Sequence, residues 1–150
     1  MIAALDLADQ ATLAALHALQ RRSYRVEAEL IGFDGIPGLV QSADELRACG
    51  ETFLGWREGG RLCAALSYKL DLGTLDIHRL VVDPADFRRG LGRRLVRAAL
   101  AVPAVTRVIV STGEANLPAR RLYESEGFRT LERVEVAPGL WVVRLERAGG

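Results

Sequence analysis

Cysteine is scarce in this 150-residue chain. The two cysteines, Cys49 and Cys63, stand alone, without a CxxC pair or a histidine at metal-ligand spacing. This argues against a metal centre, and two small buried thiols in a reducing cytoplasm fit better. We expect a cytoplasmic protein that holds no metal ion.

Long apolar runs and an excess of one charge are also missing. No apolar segment approaches the roughly 20 residues of a membrane helix, and the first ten residues lack the basic start of a signal peptide. The 20 basic and 19 acidic side chains nearly cancel. We therefore expect neither a membrane-binding nor a nucleic-acid-binding face, and any basic patch must be local.

Helical and strand patterns alternate along the whole chain, without a repeat or a long linker. They predict one α/β domain over residues 1–150. A first helix is capped by Asp9 and is expected to end near Tyr24. The glycine-rich segment 31–41 is predicted to be a loop, and Ser42 is expected to cap a short helix after it.

Three β-like runs between residues 52 and 82 are separated by glycine turns and predict an antiparallel meander. A strand at 107–112, a helix from Asn116 and a hairpin around Pro138-Gly139 are predicted after it. Between these parts a helix is expected from about 90 to 101. Its buried face is predicted to comprise Leu91, Leu95, Ala98 and Val102.

The stretch FRRGLGRRL, residues 87–95, places two glycines and four arginines at the start of that helix. A helix start exposes unpaired N–H groups, and Gly90 and Gly92 let an anion approach them without meeting a Cβ. Arginine side chains add charge-assisted contacts to phosphate oxygens. The loop therefore predicts a pyrophosphate site, against the alternative of a tight turn with solvated arginines.

Two familiar nucleotide-binding motifs are absent from this loop. A third glycine at dinucleotide spacing is missing, together with the acidic residue that should follow about 20 positions later. No Gly-Lys-Ser or Gly-Lys-Thr follows the glycines, so the loop is not a Walker motif. Nucleoside triphosphates are thereby disfavoured.

The segment NLPARRLYESEGF, residues 116–128, contains a complete helix with Asn116 as its cap and Gly127 after its end. V-x-P-(x)5-G-x-G followed by N-x-x-A-x-x-L-Y-(x)3-G-F resembles the GNAT-type N-acetyltransferase superfamily. The resemblance in element order covers essentially the whole chain, and the motif residues lie between Leu75 and Phe128. It implies a mixed, mostly antiparallel twisted sheet flanked by helices.

The resemblance also implies roles for particular residues. The glycine loop, residues 88–93, would bind the pyrophosphate of the co-substrate acetyl-CoA. Asn116 would lie near the pantetheine. Tyr123 would protonate the leaving thiolate, against the plain alternative of a packed aromatic. The backbone at Leu80 would face the thioester carbonyl. The implied cofactor-binding residues are Leu80, Val81, Val82, Arg88, Arg89, Gly90, Leu91, Gly92, Arg93, Asn116 and Tyr123.

One position departs from the family pattern. Members usually have Gln or Arg three residues before the first loop glycine, where this chain has Phe87. The change does not affect binding of the pyrophosphate by the backbone N–H groups of the loop. Arg88 or Arg89 is expected to supply the side-chain contact instead. Phe87 is expected to pack under the loop.

The acceptor amine must lose a proton before it attacks a thioester. Asp76 and His78 are the candidate bases, because they lie two apart in a strand and would share a face with Leu80 and Val82. Asp76 matches the position of a catalytic glutamate in several family members. A plain surface carboxylate is an equal alternative, and Glu114 is a third candidate base, for which a solvated role is favoured.

The region that commonly shapes the acceptor pocket in similar enzymes contains Tyr24, Glu27, Glu29, Phe33 and Ile36. Its acidity suits a cationic amine, although a solvated helix end is an equal alternative. The sequence thus favours an N-acetyltransferase for a small-molecule amine or a peptide, with a non-catalytic acyl-CoA-binding module as the rival. A homodimer would cover the strand edges near the C-terminal hairpin.

Overall fold

The structure is a computed structural model that describes residues 1–32 and 37–149. In this part of the chain seven strands form one sheet in the order β1-β2-β3-β4-β5-β7-β6. Their bounds are β1 Ile2–Ala4, β2 Thr52–Glu58, β3 Arg61–Asp71, β4 Thr74–Val82, β5 Arg107–Gly113, β6 Arg129–Ala137 and β7 Leu140–Ala148. Only the β4–β5 pair among these strands is parallel. The predicted mixed, mostly antiparallel sheet is confirmed.

The α-helices of the described residues are α1 Gln10–Ile31, α2 Pro37–Val40, α3 Ala43–Arg47, α4 Leu91–Leu100 and α5 Leu117–Ser125. The predicted caps are present: the Asp9 side chain accepts from the Thr12 N–H, and Ser42 forms a capping box with Glu45. No helix in the described ranges is both long and apolar enough to cross a membrane.

The expected end of α1 near Tyr24 is wrong, because the helix continues to Ile31 and ends at Gly32 with φ 70°. The segment 24–31 contains good helix formers and no glycine or proline, so nothing stops the helix before Gly32. The predicted loop 31–41 is wrong in part, since 37–40 form the single turn α2. Phe33 and Ile36 lie outside the described residues.

Helices cover both faces of the sheet. Leu13, Leu16 and Leu19 of α1 pack with Leu46 of α3 against one face. On the other face, α4 and α5 pack on strands β3, β4, β5 and β7. The buried residues of α4 are Leu91, Leu95, Val96, Ala99 and Leu100. The expected Ala98 and Val102 are only half-buried, so the buried face of α4 is rotated from the predicted one.

Strands β4 and β5 pair over only part of their lengths. Residues 74–77 pair with residues 107–110, whereas β4 continues to Val82 and β5 to Gly113. Beyond Ile77 the facing edge of β4 therefore has no partner in β5. The sheet opens at its centre, and the candidate site lies at this opening.

A β-bulge in β4 precedes the opening. Ser67 pairs with Arg79 and Tyr68 pairs with Ile77, so His78 is an extra residue without a partner on β3. Such an insertion reverses the alternation of side chains along the strand. Ile77 before the bulge and Leu80 after it consequently face the same core.

Candidate functional site

A cleft of about 560 Å³ lies where the second half of α1, the end of β4, the glycine loop and the start of α5 meet. Its wall is largely apolar, with two arginines at the loop end. Phe87 lines the cleft and is 44% exposed, so it does not pack under the loop as expected. The cleft is lined by Ser23, Val26, Glu27, Leu30, Leu80, Val82, Asp86, Phe87, Arg88, Gly90, Leu91, Gly92, Arg93, Asn116, Pro118, Ala119 and Leu122.

The glycine loop presents backbone to this cleft. Gly90 has φ 76° and caps α4, and the first helical hydrogen bond runs from the Arg94 N–H to the Gly90 carbonyl. The N–H groups of residues 91–93 therefore precede the first bonded turn. A Cβ on Gly92 would lie 3.4 to 3.9 Å from Leu122, Leu80 and Val82, which line the cleft. Glycine keeps this space open.

The four loop arginines have different surroundings. Arg88, with φ 65°, and Arg93 line the cleft. Arg93 also donates to Glu126 at 2.6 Å, whereas Arg94 stacks over Trp56 at 5.0 Å from the ring centre. Neither Arg89 nor Arg94 lines the cleft. Arg88 and Arg93 are therefore the loop arginines that are placed to contact a ligand in the cleft.

Arg89 instead belongs to an ion-pair cluster beneath the loop. It donates to Asp86 at 2.7 Å and to Glu58 at 2.5 Å, and Arg61 donates to both oxygens of Asp86. Hydrogen bonds from Arg61 hold the pKa of Asp86 at about 2, and those from Arg89 and Trp56 hold the pKa of Glu58 at about 2.

The carboxylates of this cluster, together with the Cys63 thiol, bring three metal-ligand atoms within 4.8 Å of one another. Burial raises the pKa of Cys63, which keeps the thiol protonated, and Arg61 and Arg89 supply the positive charge. The arrangement fits a structural ion-pair cluster better than a cation site.

The free edge of β4 turns N–H groups toward the opening. The Val82 N–H donates to Ser23 Oγ at 3.3 Å across the cleft. Because N–H groups two residues apart in a strand point to the same side, the Leu80 N–H is directed to the same edge. The Val81 side chain is buried in the core under α1, and its backbone lies opposite Ala65 of β3.

An inner pocket of about 100 Å³ adjoins the cleft at the opening between β4 and β5. Glu27, Leu80, Asn116 and Ala119 line both spaces. The remaining lining residues of the inner pocket are Tyr24, Ile77, His78, Arg79, Val110, Ser111, Thr112 and Tyr123.

Tyr123 projects from α5 into this pocket with only 3% of its surface exposed. Its ring packs edge-on against Phe128, with ring centres 5.3 Å apart. Burial above all, and then the charges of Glu27 and Tyr24, raise the pKa of Tyr123. The phenol therefore keeps its proton at neutral pH and can act as a donor.

Asn116 connects the two helices that border the pocket. Its Oδ1 accepts from the Ala119 N–H and caps α5, while its Nδ2 donates to Glu27 Oε1 of α1 at 3.2 Å. Burial raises the pKa of Glu27, and the hydrogen bond from Asn116 opposes this rise. A half-buried carboxylate thus lies near a buried phenol.

The bulge changes how the two predicted bases are placed relative to the cleft. Asp76 precedes it and lies opposite Ile109, on the face of the sheet away from Leu80 and Val82, so the expected shared face is wrong. Asp76 lines neither the cleft nor the inner pocket. His78 lines the inner pocket and lies 3.4 Å from Asp76 and 3.7 Å from Glu51.

Glu114 is engaged in ion pairing outside the site. Its carboxylate accepts hydrogen bonds from Arg133, which lower the pKa of Glu114. Glu114 lines neither the cleft nor the inner pocket. Exposed Glu29 likewise lies outside both spaces, whereas Tyr24 and Glu27 line the inner pocket.

Comparison with known proteins identifies this arrangement. A family model described as the Acetyltransferase (GNAT) family matches residues 13–128, which include α1, the glycine loop and α5. The chain belongs to the GNAT acetyltransferase family. It is also 40% identical over 124 residues to the UPF0157 protein YqkA of Bacillus subtilis, a match that covers 82% of this chain. The matched part is 36% of that relative, so the chain spans about a third of its length.

Solved GNAT structures share the fold over nearly the full chain. The ribosomal-protein-S18-alanine N-acetyltransferase of Escherichia coli superposes with a TM-score of 0.80 at 18% identity, covering 100% of this chain and 94% of that one. The Paia N-acetyltransferase of Thermoplasma acidophilum, solved with coenzyme A, gives 0.81 at 16% identity and covers 99% and 98%. These identities support the fold alone.

The sequence analysis named Tyr24 and Glu27 of α1 but missed Ser23, Val26 and Leu30 on the same helix. Ser23, Val26, Glu27 and Leu30 all line the cleft, but three of them follow the predicted helix end at Tyr24. Their spacing of i, i+3, i+4 and i+7 marks one helix face. That spacing was the available signal, and extending α1 to Gly32 would have found it.

Proposed function

We propose that this chain is an acetyl-CoA-dependent N-acetyltransferase that transfers the acetyl group directly to a primary amine of a small molecule or a peptide. The observation that carries the proposal is that two spaces adjoin: the cleft beside the glycine loop shares four lining residues with the pocket that Tyr123 lines. An extended ligand held at the loop can thus reach a buried proton donor.

The groups along the cleft match the parts of coenzyme A in order. The N–H groups at the start of α4, with Arg88 and Arg93, suit the pyrophosphate. The free edge of β4 offers N–H groups to the amide carbonyls of the pantetheine arm. Exposed Phe87 offers a ring against which the adenine of coenzyme A can pack. The coenzyme A bound by the Thermoplasma relative supports the same ligand here.

The chemistry follows from the groups around the inner pocket. The amine nitrogen attacks the thioester carbonyl carbon, the C–N bond forms, and the C–S bond then breaks. The Leu80 N–H donates to the oxygen that becomes negative in the tetrahedral intermediate. Tyr123, which is protonated at neutral pH, gives its proton to the departing thiolate.

The test measures binding and turnover separately. Calorimetry with acetyl-CoA should give a saturable heat, and CoA should raise the Tm of the protein. Thiol release from acetyl-CoA should then depend on an added amine, in a screen of small amines, peptides and aminoglycosides. Binding without release across the screen would favour a non-catalytic acyl-CoA-binding module, and absence of both would overturn the proposal.

Tyr123→Phe tests the proton donor with minimal change of shape. Because the ring keeps its contact with Phe128, acetyl-CoA affinity should stay within about twofold, while kcat falls by about 10²-fold or more. Steady-state kinetics and calorimetry on the same variant separate the two quantities. An unchanged kcat would remove Tyr123 from the mechanism without affecting the proposed ligand.

A further inference from the structure

Glu27 occupies the junction of the two spaces. It is one of four residues that line both the cleft and the inner pocket, and it alone of these four carries a carboxylate. The other three are Leu80, Asn116 and Ala119. A thioester that reaches Tyr123 from the glycine loop must pass this carboxylate.

The surroundings of Glu27 leave its carboxylate able to accept a proton. Asn116 donates to one oxygen at 3.2 Å, and in the described residues no arginine, lysine or histidine forms an ion pair with it. Burial raises the pKa of Glu27 above the ordinary value of a glutamate. A raised pKa makes a stronger base while the group is still ionised near neutral pH.

Charged and titratable groups reach this region from each neighbouring element. Arg79 is held in hydrogen bonds to Glu51, Gln20 and Gln41, and Arg93 is paired with Glu126. Neither donates to Glu27 in the described structure. The titratable and charged groups lining the two spaces with Glu27 are Tyr24, His78, Arg79, Asp86, Arg88, Arg93 and Tyr123.

The two bases expected from the sequence are less well placed. Asp76 lies on the other face of the sheet and lines neither space. His78 lines the pocket, but it lies between the carboxylates of Asp76 and Glu51. Its two ring nitrogens thus each face a carboxylate already, Nδ1 that of Glu51 and Nε2 that of Asp76.

We propose that the Glu27 carboxylate is the base that takes the proton from the acceptor amine at the junction of the cleft and the inner pocket. This role rests on the acetyl transfer proposed above. Glu27 takes one proton from the ammonium group and passes it to solvent, which leaves a neutral amine. After the C–N bond forms, Glu27 takes the second proton from nitrogen and returns it to the Tyr123 phenolate once the thiolate has left as the thiol.

The experiment compares Glu27→Gln with the wild type by thiol release from acetyl-CoA, using two small acceptors as probes. Ethylamine is cationic at pH 7, whereas hydroxylamine is largely neutral and requires no initial deprotonation. We expect Glu27→Gln to lower kcat/KM for ethylamine by about 10²-fold or more and for hydroxylamine by clearly less. The ionisation of Glu27 should also disappear from the pH profile of kcat/KM in the variant, which leaves the ionisation of the amine itself.

Glu124→Gln is the matched control, because Glu124 is an exposed glutamate of α5 that lines neither space. It should match the wild type in all assays, and acetyl-CoA binding by calorimetry should be unchanged in both variants. Equal kcat/KM in Glu27→Gln and wild type would overturn the role of Glu27 but not the proposed acetyl transfer. If Glu27→Gln loses acetyl-CoA affinity to the same extent as kcat/KM, the role of Glu27 as a base is also overturned, because the loss would show that Glu27 binds the cofactor. Wild-type enzyme that binds acetyl-CoA but releases no thiol with either amine, or with any acceptor of the screen described above, would overturn the acetyl transfer itself.

Discussion

Gly90 and Gly92 serve different purposes although both belong to one short motif. Gly90 has φ 76°, a conformation that other residues adopt with strain, and its absent side chain would point into open space. Gly92 has ordinary helical geometry, and its absent side chain would point at three residues of the cleft wall. Gly90 allows the positive φ that the turn requires, whereas Gly92 leaves room for a ligand to reach the backbone N–H groups.

Replacing each glycine by alanine should separate these two purposes. Gly92→Ala should leave the free energy of unfolding unchanged or up to about 1 kcal/mol higher, because alanine favours the helix. Its methyl group should lower acetyl-CoA affinity by about tenfold or more. Gly90→Ala should instead lower the free energy of unfolding by about 1–2 kcal/mol through backbone strain. Urea unfolding and calorimetry measure both effects, and a Gly92→Ala variant with wild-type affinity would contradict the assignment.

At the scale of elements, the ion-pair cluster under the glycine loop explains how the loop keeps its shape. Arg89 links the short turn 84–86 to the end of β2, and Arg61 joins the same turn to β3. Both arginines therefore stabilise the segment that leads from β4 into α4. They act on the protein rather than on the proposed ligand.

This cluster should make the protein sensitive to acid. The pKa values of Asp86 and Glu58 are about 2 in the folded chain, below their ordinary values of 3.8 and 4.5. Their contribution to stability is complete above about pH 4.5 and is lost as the pH falls toward 2, where the folded protein takes up protons. Unfolding by urea between pH 5 and 2.5 should show a shallower loss for Asp86→Asn than for the wild type. Parallel curves would contradict the prediction.

At the scale of the whole molecule, one buried network joins parts that are distant in sequence. Arg79, beside the bulge, donates to Glu51 at 2.8 Å, to Gln20 of α1 at 2.7 Å and to Gln41 before α3 at 2.5 Å. The Ser67 hydroxyl donates to the same Glu51 carboxylate. The network fixes α1 against the open part of the sheet, so the two walls of the site keep their spacing.

Arg79→Met should remove that connection and leave the Glu51 carboxylate buried without its cation. The Arg79 and Glu51 side chains are only 13% and 6% exposed, so we expect the free energy of unfolding to fall by about 3 kcal/mol. Adding Glu51→Gln removes the unpaired charge and should restore part of the loss. Urea unfolding of the single and double variants measures the coupling. A double variant less stable than Arg79→Met would contradict this account.

Local patterns in the sequence determined most of the elements and two functional motifs. The caps at Asp9, Ser42 and Asn116 and the glycine turns depend on residues a few positions apart, so their physics is contained in short segments. The glycine loop and the helix of Tyr123 could be predicted for the same reason. The end of α1 could have been predicted as well, from the absence of any helix stop before Gly32.

Only the tertiary structure decided which side chains share the site. The bulge at His78 arises from the pairing of β4 with β3. Strict alternation of side chains along β4 would have placed Asp76 on the same face as Leu80 and Val82, and the bulge places it on the other face of the sheet. The meeting of Glu27 with Asn116 joins residues 89 positions apart, and the pairing of Arg89 with Glu58 joins residues 31 apart. Such contacts depend on how strands and helices pack in three dimensions, which no local pattern encodes.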